Sequence, residues 1–200
     1  MPFAFLYGIK TYIMQRRKFL STAALSLPVL AFANQQASSS ENKSIRTGKG
    51  FVVKSGQSRF GEQTKLGGKS PNDIKVSTKD TNGDLTIFEY TGNEKGGPPL
   101  HIHPNQDEIF FIMSGSFLFK VGEEQFTLTT GDTIFLPRNV PHTWAQLSEQ
   151  GKMYFQFQPS GKMEDFFRVL GSLKAAPSPE QGAKIFADHD MQVVGPPLSF

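Results

Sequence analysis

Four residues carry side chains suited to a single metal ion: His101, His103, Glu108 and His142. On an extended strand, residues i and i+2 face the same side, so His101 and His103 project together. Imidazole nitrogen is the commonest biological metal ligand near neutral pH. Pro104 and Asn105 favour a turn, after which Glu108 opens an apolar run, EIFFIM. A second strand running back beside the first would bring that carboxylate to the two imidazoles. His142 ends the stretch GDTIFLPRNVPH, where a turn at Gly131-Asp132, a buried strand and a second turn from Pro137 to Pro141 deliver a fourth ligand. The remaining histidine, His189, falls in a C-terminal helical region. A lone histidine is by default a core or surface residue; three with a glutamate at these spacings point to a metal.

Three imidazoles and a carboxylate suit one divalent ion among Fe, Mn, Ni, Cu and Zn, and ligand type does not choose between them. One or two coordination positions would stay open for substrate or dioxygen. Glu108 has two readings: a permanent ligand, or a carboxylate that leaves the ion and acts as a base toward an acidic hydroxyl. Phe110, Ile112, Phe119, Phe135, Trp144, Phe155 and Phe157 are candidates for an apolar lining, or simply for core.

The elements that must position these groups read as short strands. Candidates fall at 74–79, 84–90, 100–103, 108–113, 116–121, 125–129, 133–136, 142–147 and 152–158, punctuated by Asn82-Gly83, Gly96-Gly97-Pro98-Pro99, Gly115, Gly122, Gly131 and Pro137. The chain holds 19 Phe, 19 Gly and 13 Pro in 200 residues, a mix for an all-β domain with tight turns. Met163, Phe166, Phe167, Leu170 and Leu173 recur at helical spacing within 160–173. Ser178-Pro179-Glu180-Gln181 reads as the cap, first turn and capping box of a second helix. These helices are expected on the outside of the barrel, with 193–200 as an extended tail.

Together the two motif stretches resemble those of the cupin superfamily. The first has two His one residue apart, a Glu after four more, and Gly115 seven positions beyond; the second has Gly131, Pro137 six later, then His142. The 15 residues between Gly115 and Gly131 suit small bacterial cupins. Lys95, Asn139 and Gln146 depart from the pattern at turn positions, none of them a ligand. The resemblance covers roughly residues 84–158 and implies a double-stranded β-helix (jelly-roll barrel) with one or two C-terminal helices. GPPLHIHPNQDE, FLPRNVPHTW and MEDFFR look most like quercetin-dioxygenase-like monocupins. That implies metal-dependent oxygenation of an aromatic or enolic small molecule, with a homodimer by analogy. Two alternatives stay open. One is a non-redox isomerase or lyase, which should turn Lys, Arg or Tyr into the barrel, where the inward positions look apolar. The other is a binding cupin without turnover.

The chain has no Cys, which excludes disulfides, thiolate ligands and a lipoprotein anchor. The net charge of +3 is local: 4 of the 21 basic residues lie in 1–33, which hold no acid, leaving 17 against 18 acidic residues. A nucleic-acid footprint is therefore not expected. Residues 1–33 read as an address. QRRKFL at 15–20 resembles a twin-arginine export signal, an apolar run follows, and Ala31-Phe32-Ala33 offers a cleavage site. The run is too short, and too interrupted by Pro28, to anchor in a membrane. Met14 reads as the true start, with 1–13 upstream. The expected organisation is a signal peptide at 1–33, a polar linker at 34–50, the barrel at 51–158 and helices with a tail at 159–200. Export by the twin-arginine machinery would place the protein in the periplasm or outside the cell.

Overall fold

The computed structural model describes Arg46, residues 48–66 and residues 69–200. The expected signal peptide and nearly all of the expected linker lie outside the described residues. The strands are β1 (Gln63–Leu66), β2 (Ser70–Val76), β3 (Thr86–Gly92), β4 (Pro99–Ile102), β5 (Asp107–Ser114), β6 (Ser116–Val121), β7 (Glu124–Thr129), β8 (Thr133–Leu136), β9 (His142–Gln146), β10 (Gly151–Gln158) and β11 (Gln192–Pro197). The helices are α1 (Thr78–Thr81), α2 (Met163–Ser172) and α3 (Pro179–Asp188).

The strands form two sheets, β1-β2-β3-β10-β5-β8 and β11-β4-β9-β6-β7, with every pairing antiparallel. This is the expected all-β jelly roll with C-terminal helices. Its interior follows from the two-residue period of the strands. Phe155 of β10 lies opposite Phe88 of β3 on one side and Phe110 of β5 on the other. The three rings stack in a row with centroids 5.2 Å apart at each step. All three are buried, and Phe167 of α2 meets Phe88 edge-on at 4.7 Å. Such contacts contribute about 0.5–1.5 kcal/mol each beyond the area they bury.

Several elements differ from the sequence reading: β1 is not among the expected strands, and β2 begins at Ser70 rather than at residue 74. The strand expected to run to residue 79 stops at Val76, because Ser77 caps α1 in a capping box with Asp80. Asn82 then takes the left-handed conformation (φ 54°) and turns the chain into β3. The expected tail pairs with β4 as β11, an edge strand where Pro196 and Pro197 need give no N–H to an outer neighbour. The C-terminal helices do not lie on the outside of the barrel; they cover an end of its interior. Phe166 and Phe167 of α2 and Phe186 of α3 are buried in the shared core. Glu164 pins α2 to the sheet, accepting hydrogen bonds from Ser77 Oγ (3.1 Å), Thr86 Oγ1 (3.0 Å) and Arg168 (3.2 Å). α3 begins at the predicted cap, with Ser178 and Gln181 in reciprocal contact and Pro179 in the first turn.

Candidate metal centre

Strand pairing brings His142 to the three groups of the 101–108 stretch. His101 of β4 and His142 of β9 are direct cross-strand partners. Their rings lie 4.6 Å apart. His103 follows β4 on the same face as His101. Glu108 comes from the other sheet, opposite Phe157 of β10 and Leu136 of β8. Loop contacts hold the assembly. Asn139 N–H donates to His103 O at 2.9 Å, and Asn139 itself is left-handed (φ 64°). Asp107, beside Glu108, accepts from the Arg138 backbone N–H (2.9 Å) and guanidinium (2.6 Å) on the loop that delivers His142.

All four side chains are buried, and one donor atom from each lies within 4.8 Å of the others. His101 Nδ1 is 2.8 Å from Pro99 O, and His142 Nδ1 is 2.9 Å from Val140 O. A carbonyl oxygen only accepts, so each Nδ1 carries the proton and each Nε2 turns a lone pair inward. The Nε2 atoms of His101 and His103 are 3.1 Å apart. His142 Nε2 is 3.3 Å from Glu108 Oε2 yet makes no hydrogen bond to it. Two donors each about 2.1 Å from one ion, at right angles, would be about 3 Å apart. Lone pairs facing a carboxylate need a cation or proton between them, so this donor set fits a divalent ion.

The electrostatics agree. Burial, then the His142 imidazole, pulls the His101 pKa down to about 3 against the Pro99 hydrogen bond. His103 is held well below its ordinary value, by burial first and then by the two neighbouring imidazoles. Burial raises Glu108, with His142 opposing. Neutral imidazoles are the ligating form.

A cavity of about 660 Å³ reaches His101, His103 and Glu108. Trp144, Phe155 and Phe157 line it, as expected, together with Tyr90, Met163, Phe166, Phe167, Leu170 and Phe186. Phe110, Ile112 and Phe119 are buried core away from its surface. Phe135 corrects the sequence reading: it pairs with Ile109 while Ile134 and Leu136 flank it, so strand alternation turns it outward, 55% exposed. Gln146 gives its amide to Ser148 O (2.9 Å) and Gly92 O (3.4 Å), and Gln156 lies on the outer side of β10, so neither orients a histidine. The groups that do are the carbonyls of Pro99 and Val140, each two residues before its histidine. Sequence reasoning missed these carbonyls, since every residue has one. It also missed Tyr90, although the alternation of β3 places Tyr90 inward with Phe88.

Residues 87–156 match the family model described as the cupin domain. That match spans 70 of the chain's 200 residues, and the two sheets have the cupin jelly-roll fold. Over 121 residues the chain is 27% identical to quercetin 2,3-dioxygenase of Bacillus subtilis, a match covering 60% of this chain and 34% of the relative. A 43-residue stretch is 40% identical to an uncharacterised protein of Methanocaldococcus jannaschii, covering 22% of this chain and 34% of that protein. The chain thus spans about a third of the length of each of these relatives. Among solved structures, an RmlC-like cupin of Shewanella frigidimarina aligns with a TM-score of 0.48 at 22% identity, covering 61% of this chain and 99% of the other.

Proposed function

We propose that this cupin holds one divalent transition metal with His101, His103, Glu108 and His142, and that it is a dioxygenase for an aromatic or enolic small molecule. The observation that carries the reading is the pair of inward-turned Nε2 lone pairs, fixed by the Pro99 and Val140 carbonyls, beside a buried carboxylate at the end of an apolar cavity. The similarity to a quercetin 2,3-dioxygenase supports the choice of reaction.

An ion held there supplies positive charge that stabilises a deprotonated substrate oxygen. The chain's own residues do the rest. Glu108 has its pKa raised by burial, which suits it to take a proton from an enolic or phenolic hydroxyl and hold it on a carboxylate oxygen. His101 and His103, both held below the usual imidazole range by burial, do not compete for that proton. Trp144, Phe155, Phe157 and Phe167 give a flat substrate apolar surfaces and exclude water from the reacting end.

One observation favours a second reading. Tyr90 and Lys95 both reach the cavity, as a non-redox isomerase or lyase would need. Export as a folded protein to the periplasm or beyond belongs to the same proposal and rests on the twin-arginine-like segment. So does homodimerisation; the exposed Phe111, Met113 and Phe135 on the outer side of β5 and β8 offer a surface for it.

The test is dioxygen uptake by protein reconstituted separately with Fe, Mn, Ni or Cu and given flavonols and simpler enols. Stoichiometric uptake that Glu108→Gln abolishes is the expected result. Turnover without uptake would move the assignment to the isomerase or lyase, and ligand binding without turnover would leave a binding cupin.

A further inference from the structure

The cavity has a second polar end. Along β10, Phe157 lies opposite Glu108 and Met153 opposite Tyr90. Four residues of strand span about 13 Å, so Tyr90 sits roughly that far along the sheet from the histidine end. The wall between is aromatic, and Tyr90 meets Trp144 edge-on at 5.2 Å. Most other polar side chains at the cavity are committed elsewhere. Glu94 pairs with Lys69 at 2.7 Å, Lys95 with Glu149 at 2.9 Å, and Ser178 caps α3.

Ser70 and Tyr90 remain. Ser70 Oγ accepts from Asn93 N–H at 3.2 Å and is the hydrogen-bonding neighbour of the Tyr90 hydroxyl. Asn72 shares the inward face of β2 with Ser70 and Ile74 and is the direct cross-strand partner of Tyr90. It is fully buried, and neither its Oδ1 nor its Nδ2 has a hydrogen-bond partner. A buried carboxamide with both atoms unpaired is costly, and native structures tolerate few. Asn72 does not itself line the cavity; it packs beside Tyr90, where the wall carries the Ser70 and Tyr90 hydroxyls.

We propose that the Ser70 and Tyr90 hydroxyls, with the unpaired Asn72 carboxamide packed beside Tyr90, form a distal polar subsite. It reads a hydroxyl on the far ring of an elongated aromatic ligand whose other end meets the histidine cluster, and Tyr90 sets this specificity. The inference rests on the cavity being the substrate site, not on the reaction being an oxygenation.

The probes are 3-hydroxyflavone and 3,4′-dihydroxyflavone, which differ only in a hydroxyl at the far end. Their affinities are measured on the full chain supplied with Zn2+, which is redox-inert. Quenching of Trp144, the chain's one tryptophan, gives the signal, with calorimetry as an independent check. Wild type is expected to favour the dihydroxy compound about tenfold, the worth of one hydrogen bond to a buried group. Tyr90→Phe and, separately, Asn72→Leu should narrow that preference to under twofold. Equal affinities in wild type, or an undiminished preference in Tyr90→Phe, would overturn the subsite. Failure of both flavones to bind would overturn it together with the substrate site. If the preference collapses as expected but no redox-active metal form consumes dioxygen, the subsite stands and the oxygenase reading falls.

Discussion

Two buried glutamates on opposite faces of one sheet show how differently this chain treats the same side chain. Glu89 of β3 faces outward under the segment around residues 54–57. It receives Lys152 Nζ (2.7 Å), Tyr154 Oη (2.6 Å), Gly56 N–H (2.9 Å), Ser55 Oγ (3.1 Å) and Lys75 Nζ (3.0 Å). Lys75 in turn donates to the carbonyls of Lys54 and Gln57, both at 2.7 Å. Burial alone would raise the Glu89 pKa, but these donors outweigh it and bring the value down to about 2. Glu108 of β5 faces inward, paired with no lysine or arginine among the described residues, and burial moves its pKa up. The outward carboxylate is saturated with partners and holds structure. The inward one is left short of positive charge among neutral imidazoles, which is the state of a ligand or a base.

The largest effect that sharpens this contrast should come from Glu89→Gln. It removes the carboxylate that Lys75 and Lys152 both touch, leaving Asp73 as the remaining negative charge near them, and breaking a buried pair costs about 3–5 kcal/mol. Urea unfolding should show that loss, while metal content stays at the wild-type level. The pH dependence follows from the same network. With a folded-state pKa near 2 against about 4.3 for an unfolded glutamate, Glu89 contributes fully above that unfolded value. The contribution fades as pH falls toward 2. Thermal melts between pH 5 and pH 2 should therefore fall more steeply for wild type than for Glu89→Gln.

A smaller effect is expected at the loop that delivers His142. Asn139→Ala must keep φ near 64° with a less tolerant side chain. That should cost about 1 kcal/mol and weaken metal binding, measured by competition with a chelator. The smallest stability change belongs to Glu108→Gln in metal-free protein. With no cationic partner to strand, it should shift unfolding by less than about 1 kcal/mol, or stabilise, while removing metal affinity. A loss as large as that of Glu89→Gln would erase the distinction between the two carboxylates.

How much of this could be read in advance depended on how local the cause was. The strands 116–121 and 133–136 match the sequence reading to the residue, because Gly115 and Gly122 bracket the first and Gly131 and Pro137 the second. The four ligands were legible because i, i+2 spacing and two turns fix their faces. α1 was overlooked although Ser77-Thr-Lys-Asp80 carries a capping-box signature, since the apolar run before it suggested one longer strand. β1 and β11 have too little alternation, and in β11 too much proline, to announce themselves; each exists through its partner strand. The Glu89 network and the subsite at Ser70, Asn72 and Tyr90 join residues far apart in sequence, and only the sheet register brings them together.

The metal is the most direct test. Elemental mass spectrometry of purified wild type and of His101→Ala/His142→Ala should find about one divalent transition metal per chain in the first and none in the second, both folded by circular dichroism. Full metal retention in the double variant, or a wild type that takes up none on reconstitution, would contradict the four-residue centre.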